Sequence, residues 1–187
     1  MLTEEIQNST LPNWLNCSNW ATPRWKSAIV RRSLSMPVRL ALERGYLSAE
    51  FRVLDFGCGR NLDVQYLQQF SILGNGFDPF WANDTSLLRP TDVVSCTYVI
   101  NVIEDPAERI EVLKFAFSLA KRSLIIAVRT DGTGEKTTST GTYQKYYTQS
   151  EFKHLLSESL GNISATFPKS GIAFIDKNST QTWLKLG

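Results

Sequence analysis

The residues of this chain best suited to chemistry are two carboxylates and two glycines at a fixed spacing. Val53-Leu54-Asp55-Phe56-Gly57-Cys58-Gly59-Arg60-Asn61 reads as a buried strand ending in a carboxylate, followed by a glycine turn that opens a helix. Asp78, in Gly76-Phe77-Asp78-Pro79, ends the next short strand 19 residues after Gly59. That is the distance at which an acidic side chain of a Rossmann-like unit returns to meet ribose hydroxyls. Glycine at 57 and 59 lets the backbone turn tightly and approach a ligand with no Cβ in the way. The chemistry expected is the binding of a nucleotide with a free ribose. A nicotinamide fingerprint needs a third glycine at position 62, where this chain has Leu62, so a dehydrogenase is disfavoured.

These residues need elements to hold them. At 187 residues with 42% hydrophobic content, the chain suits one α/β domain with a full core and a small appendage. From residue 51 the order reads strand (51–55), helix (61–70), short strand (72–78), strand (92–97), helix (106–120) and strand (123–129), an alternation that builds a parallel sheet. Asp105-Pro106-Ala107-Glu108 combines an aspartate cap, a proline in the first helical position and a glutamate completing a capping-box-like pair. Ile110, Leu113, Phe117 and Ala120 then repeat on one face. Thr148-Gln149-Ser150-Glu151 opens another helix, with Tyr147 and Phe152 as a staple and Gly161 as the stop. Segments 163–167 and 172–175 read as an antiparallel pair closing one sheet edge. Residues 129–142, polar and glycine-containing, read as a mobile loop able to serve as a lid.

Ahead of the sheet, the first 22 residues show no periodicity and embed Trp14 and Trp20, which reads as an irregular arm that packs its tryptophans. Residues 26–32 and 37–44 read as helices, the second capped by Ser35, started by Pro37 and stopped by Gly45. The boundary between this N-terminal cap and the nucleotide-binding domain is expected at 48/49. Net charge is +2, but residues 24–44 carry Arg24, Lys26, Arg31, Arg32, Arg39 and Arg44 against Glu43 alone. Such a cluster is either a solvated helix face or a surface for phosphates.

Three scattered cysteines (Cys17, Cys58, Cys96) and one histidine, His154, argue against a disulfide framework and a zinc site, so no metal is expected. Cys96 reads as a small core residue and His154 as a helix-surface residue. No apolar run is long enough to span a bilayer and the N-terminus lacks a signal pattern, so a soluble cytoplasmic protein is expected. The Asn178-Ser179-Thr180 sequon reads as chance in that setting.

Asp55-Phe56-Gly57-Cys58-Gly59 closely resembles the acidic-x-Gly-x-Gly loop of class I S-adenosylmethionine-dependent methyltransferases. The third glycine of that family falls at Asn61, the kind of residue that tolerates left-handed geometry. The chain further resembles the DNA phosphorothioation-associated methyltransferases, in order over about 24–176. The resemblance rests on Leu34-Ser35-Met36-Pro37-Val38-Arg39-Leu40-Ala41-Leu42, the Asp55 loop, Gly76-Phe77-Asp78-Pro79, Tyr98-Val99-Ile100-Asn101-Val102-Ile103-Glu104-Asp105-Pro106 and Gly141-Thr142-Tyr143-Gln144-Lys145-Tyr146-Tyr147. Members of that group usually carry a longer N-terminal region, and their loop continues with Gly-Asp-Asp where this chain has Asn61-Leu62-Asp63.

The resemblance implies a Rossmann-like fold with a mostly parallel seven-stranded sheet, an antiparallel C-terminal edge and an N-terminal helical cap. It implies S-adenosylmethionine as cofactor, bound by Asp55, Phe56, Gly57, Cys58, Gly59, Asn61, Asp78, Pro79 and Tyr98. The end of the fourth strand lines the transfer site in that superfamily, which points to Tyr98 and Asn101, with Tyr143, Tyr146 and Tyr147 as further lining candidates. No catalytic residue is identified. The Asp/Asn-Pro-Pro-aromatic motif of base N-methylation is absent, and Ser95 rather than proline precedes Cys96. The reading is a methyltransferase for an unidentified small-molecule or peptide-like acceptor. A non-catalytic cofactor-binding module and a nucleic-acid modifier stand as alternatives.

Overall fold

The computed structural model describes residues 11–177; the first ten residues of the arm and the Asn178-Ser179-Thr180 sequon lie outside that range. Six strands form the main sheet in the order β2-β1-β3-β4-β8-β7. They are β1 (Val53–Phe56), β2 (Gly74–Phe77), β3 (Thr91–Thr97), β4 (Ala120–Ala127), β7 (Ser164–Lys169) and β8 (Ile172–Asp176). β2, β1, β3 and β4 run parallel, and β8 and β7 continue the sheet antiparallel. All four residues of β1 are buried, as a strand covered on both faces requires.

The expected seventh strand is not present among the described residues, which is a correction. Residues 78–90 hold only an antiparallel bridge between Asp78 and Ala82 and a single 3₁₀ turn at Thr85–Leu87. That span is too short for a crossover helix and a further parallel strand, so β2 is the edge among the described residues.

Among the described residues four α-helices flank the sheet: α1 (Met36–Glu43), α2 (Leu62–Gln68), α3 (Pro106–Leu119) and α4 (Gln149–Leu160). One face of the sheet, through Val53, Val93, Ile125, Ala127 and Phe174, packs with Val38 and Ala41 of α1 and Leu67 of α2. The other, through Leu54, Val94, Cys96, Leu124 and Ile126, packs with Val112, Leu113 and Ala116 of α3 and Phe152 and Leu156 of α4. At the start of α3, Asp105 accepts a 2.9 Å hydrogen bond from the Ala107 amide, while Glu108 turns away to Arg24. The buried stripe of α3 is Arg109, Val112, Leu113, Ala116 and Leu119, one position round from the expected one. α4 carries the full reciprocal capping box between Thr148 and Glu151.

Two expectations change on the cap and the lid. Residues 26–32 are not helical: a 3₁₀ turn at Arg24–Ser27 is followed by extended chain. Ile29 and Val30 are β-branched, poor helix formers, and stand 63% and 73% exposed, so no core face rewards a helix there. α1 forms, but Ser35 makes no side-chain cap; its amide instead donates to Asp63 at 2.6 Å. The loop at 129–142 is also more ordered than expected. Within it β5 (Glu135–Thr137) pairs antiparallel with β6 (Tyr143–Lys145), and the Thr138 hydroxyl hydrogen-bonds that of Thr142 at 2.7 Å. No described helix is long and apolar enough to cross a membrane.

Candidate active site

In a parallel sheet the chain leaves strand ends in opposite directions at a switch point, and ligands bind in the crevice beyond the C-terminal ends there. Here that point lies between β1, whose chain returns through β2, and β3, whose chain returns through β4. A cavity of about 650 Å³ occupies it, within the range of small-molecule sites. Its walls include Phe56, Gly57, Cys58 and Gly59 after β1, Asp78 and Pro79 after β2, and Tyr98 and Asn101 after β3.

Asp55 does not stand on that wall. It lies in a small adjoining recess with Arg31, Asp63 and Thr97, where it is 3% exposed and accepts a 2.7 Å hydrogen bond from the Ser95 hydroxyl. Burial, reinforced by the neighbouring Asp63 carboxylate, pushes its carboxyl up to about 7. Burial also pushes up the Cys58 and Cys96 thiols, so neither is a thiolate nucleophile. Cys96 is fully buried in the core and His154 lies exposed on α4.

The glycine loop is tied to β2. The Gly57 and Cys58 amides both donate to the Phe77 carbonyl, at 2.8 and 3.0 Å. The Gly59 amide donates to Asp78 Oδ2 at 3.1 Å, and Asp78 Oδ1 accepts from the Phe80 and Trp81 amides at 2.9 Å each. One carboxylate therefore organises two loops. Gly57 is left-handed, and a Cβ there would meet Val99 Cγ2 at 2.3 Å; a Cβ at Gly59 would meet Ala28 Cβ at 3.0 Å. What these glycines admit in this structure is other parts of the chain, in addition to whatever ligand approaches. Asn61 is left-handed too (φ 61°), and its side chain lies over the backbone of Gly76 rather than on the cavity wall.

Tyr98 closes β3 in left-handed geometry (φ 62°), half-buried, and burial raises its hydroxyl pKa. Asn101 is 1% exposed, and its orientation follows from Gln144. Gln144 Nε2 donates to the Lys145 carbonyl at 2.8 Å and to the Asn101 carbonyl at 3.3 Å. That leaves Gln144 Oε1 as the acceptor facing Asn101 Nδ2 at 3.5 Å, and Asn101 Oδ1 is buried with no partner. A buried acceptor without a protein partner calls for a donor, from an ordered water or from a group brought to the site.

The three tyrosines do not line the cavity. Tyr143 accepts from Arg109, which lies over its ring. The Tyr146 ring covers Gly132, and Tyr147 is part of the main core. They anchor the β5–β6 hairpin, which touches the site through Gln144.

The wall contains a group of residues that the motifs do not indicate: Trp14, Trp20, Arg24, Trp25 and Ala28 from the arm, and Trp81 after β2. The signal available in the sequence was two of the five tryptophans falling in the polar, aperiodic first 22 residues and a third, Trp25, just after them. Trp14 packs edge-on against Phe56 and Phe115, with centroids 6.2 and 5.5 Å apart. Arg24 is buried and donates to Glu104 and Glu108, which hold its guanidinium charged against the cost of burial. Arg31 bridges to Asp63, and Arg39 to Glu43. Among the described residues, no cluster of histidine, cysteine and carboxylates stands where it could hold a metal ion.

Residues 29–161 match a family of sequences described as a methyltransferase domain. No curated protein matches the sequence. Among solved structures, 1,6-didemethyltoxoflavin-N1-methyltransferase from Burkholderia thailandensis is similar with a TM-score of 0.57 and 15% identity, over 83% of this chain and 79% of that one. The CcbJ methyltransferase from Streptomyces caelestis gives 0.52 and 11%, over 77% and 89%. A SAM-dependent methyltransferase from Aquifex aeolicus gives 0.51 and 16%, over 82% and 95%. At these identities the likeness is one of fold: a Rossmann-like methyltransferase fold with a mostly parallel sheet and an antiparallel edge.

Proposed function

Because the chain belongs to this family of methyltransferase domains, we propose that it transfers a methyl group from S-adenosylmethionine to a small-molecule or peptide-like acceptor. The observation that carries the reading is the placement of Asp78. Its carboxylate ends β2 on the wall of the switch-point cavity, bonded at 3.1 Å to the glycine loop that follows Asp55. Oδ2 receives that one N–H, which leaves lone-pair capacity for ribose hydroxyls.

In this reading Asp55, Phe56, Gly57, Cys58, Gly59, Asn61, Asp78, Pro79 and Tyr98 form the cofactor site. Asp55 and Asn61 act from behind the wall, Asp55 through the recess and Asn61 by shaping the loop. The bound cofactor supplies an electrophilic methyl group on a positively charged sulfur. The chain's own part is to hold two reactants in line and keep water out, which needs positioning and no dedicated base. Tyr98 and Asn101, both lining the cavity after β3, stand on the acceptor side in this reading, with Gln144 holding the Asn101 side chain. Tyr143, Tyr146 and Tyr147 hold the hairpin that carries Gln144. Residues 1–48 act as the cap, and residues 49–187 as the cofactor-binding domain.

The Asn101–Pro106 and Gln144–Tyr147 blocks favour the DNA phosphorothioation-associated group within the family, and with it a nucleic-acid acceptor as the second reading. Against that acceptor, three of the six cations of the basic segment, Arg24, Arg31 and Arg39, are spent on carboxylates of the same chain.

Calorimetry with S-adenosylmethionine, S-adenosylhomocysteine and NAD tests the cofactor. Failure to bind the first two at millimolar concentration, or tighter binding of NAD, removes the reading. Formation of S-adenosylhomocysteine with small-molecule fractions, peptide fractions or DNA then separates the acceptors, and binding without turnover on any fraction identifies a non-catalytic module.

A further inference from the structure

Among the described residues the sheet ends at β2, and residues 78–90 add beside it only a bridge and a single 3₁₀ turn. The crevice next to Asp78 is walled instead by the arm that precedes the sheet. Residues 24–31 cross the cavity as a strap fixed at both ends, by Arg24 to Glu104 and Glu108 at the start of α3 and by Arg31 to Asp63 in α2. Between these anchors Ala28 rests on Gly59, and its carbonyl accepts from Arg60 Nε at 3.5 Å. Trp25 stacks on Phe80 with centroids 4.8 Å apart and planes 11° from parallel, and its carbonyl accepts from Trp81 Nε1 at 3.2 Å. Arg60 lies over the Trp81 ring at 4.2 Å.

We propose that this strap is a second cofactor-binding element, in which Trp25, paired with Trp81, receives the purine ring of the cofactor. The inference rests on the S-adenosylmethionine reading above. Its ground is a juxtaposition within one turn: the carboxylate suited to ribose hydroxyls also accepts from the amides of Phe80 and Trp81, the residues that hold Trp25. Pro79, Trp81 and Trp25 line the same cavity as Asp78, so a base joined to a ribose at Asp78 has an apolar wall within that cavity to lie against. Flat π-faced side chains suit a purine, and base–aromatic stacking is worth enough to govern affinity. Trp14 and Trp20 also line the cavity, but their contacts lie with other parts of the chain than the Asp78 turn. Trp14 packs on Phe56 and Phe115, and Trp20 donates to the Trp14 carbonyl at 2.9 Å and carries Arg24 over its ring. The missing edge of the sheet and the aromatic strap are thus two sides of one arrangement, in which the arm supplies the wall that the short β2–β3 connection does not.

The test uses the full chain, with S-adenosylhomocysteine and adenosine as probes in titration calorimetry, and circular dichroism to check folding. Trp25→Ala is expected to weaken S-adenosylhomocysteine about tenfold or more and adenosine by the same factor, because both carry the purine. Trp25→Phe, which keeps an aromatic face, is expected to stay within about threefold of wild type. A folded Trp25→Ala that binds S-adenosylhomocysteine as wild type does overturns the proposal. So does a loss confined to S-adenosylhomocysteine with adenosine unaffected, since the strap would then meet the amino-acid end. If Trp25→Ala fails to fold, Trp81→Ala carries the same expectation and the same overturning results. Wild-type protein that binds neither probe refutes the cofactor reading itself, an outcome separate from both.

Discussion

Arg31 Nη1 lies 3.0 Å from Asp63 Oδ2, joining the strap ahead of the sheet to the first turn of α2 directly behind the glycine loop. Asp63 is 5% exposed and its other oxygen takes the Ser35 amide, so the strap, α1 and α2 meet on one buried carboxylate. Asp55 occupies the same recess. Asp55, Asp63 and Arg31 thus share one buried recess, where burial and the Asp63 carboxylate favour the protonated form of Asp55.

The pH dependence of stability follows with a definite sign. The Asp55 carboxyl is raised to about 7 in the folded chain, chiefly by burial and next by Asp63, from an unfolded value near 3.8. Between these two values the folded state binds more protons, so stability is full below the lower one and falls as pH rises through about 4 to 7. Each unit of that interval costs up to about 1.4 kcal/mol. Urea unfolding at several pH values should show the decline, and Asp55→Asn should flatten it while keeping a partner for Ser95. A decline of equal size in Asp55→Asn would assign it to other groups.

Asp78→Ala should do two kinds of damage. Loss of the ribose acceptor should weaken S-adenosylhomocysteine by about 1.5–3 kcal/mol per hydrogen bond to the charged group. Loss of the anchor for the Gly59, Phe80 and Trp81 amides should also lower the melting temperature. Asp78→Asn retains an acceptor oxygen and should recover part of the thermal stability and less of the affinity. Calorimetry and thermal melts on the two variants separate the effects. An unchanged melting temperature in Asp78→Ala would mean that the three backbone contacts contribute nothing.

Gly57 and Val99 should behave as a coupled pair. Any Cβ at 57 suffers both the left-handed φ of +79° and a 2.3 Å approach to Val99 Cγ2. Gly57→Ala is expected to destabilise the fold by about 2–4 kcal/mol, combining backbone strain with overpacking. Val99→Ala removes the clash and leaves the strain, so the double variant should lose less than the sum of the singles, by about 1 kcal/mol or more. Additive losses in denaturant titrations would place the whole cost in the backbone.

The parts of this architecture legible in the sequence are those decided locally. The strand that carries Asp55, which runs one residue further to Phe56, the turn at Gly57 and Gly59, the start of α3 at Asp105-Pro106 and the Thr148–Glu151 box each depend on residues within a few positions. Distant contacts decided the rest. Residues 26–32 form no α-helix, only the end of a 3₁₀ turn and then extended chain, because Arg24 and Arg31 find carboxylates 80 and 32 residues away, which no helical period reports. Glu108 is drawn from its capping position by the same Arg24. The expected seventh strand came from family resemblance, whereas the short 78–90 connection is readable from its length. Tyr146 and Tyr147 carry the composition of a substrate wall, but Gly132 and the main core claim them. Asn101 lies on the cavity wall, and its contact with Gln144, 43 residues on, is one that no local pattern reports.

The same ion pairs bear on nucleic acid. A basic run of six cations at 24–44 invites phosphates, yet Arg24 is buried on Glu104 and Glu108, Arg31 is held by Asp63, and Arg39 faces Glu43 one helical turn away. A net charge of +2 adds little long-range attraction. Wild-type protein should therefore bind duplex or single-stranded DNA weakly in fluorescence anisotropy at physiological salt, with a shallow dependence on salt concentration. Arg32→Glu alters an exposed cation and should change that weak binding little. Arg31→Glu sets a carboxylate against Asp63, and its main effect should be on folding, with a loss of about 3 kcal/mol or more in denaturant titration from an unpaired buried charge. A sub-micromolar DNA complex whose affinity falls steeply with salt through counterion release, and which Arg32→Glu abolishes, would replace the small acceptor with a nucleic acid.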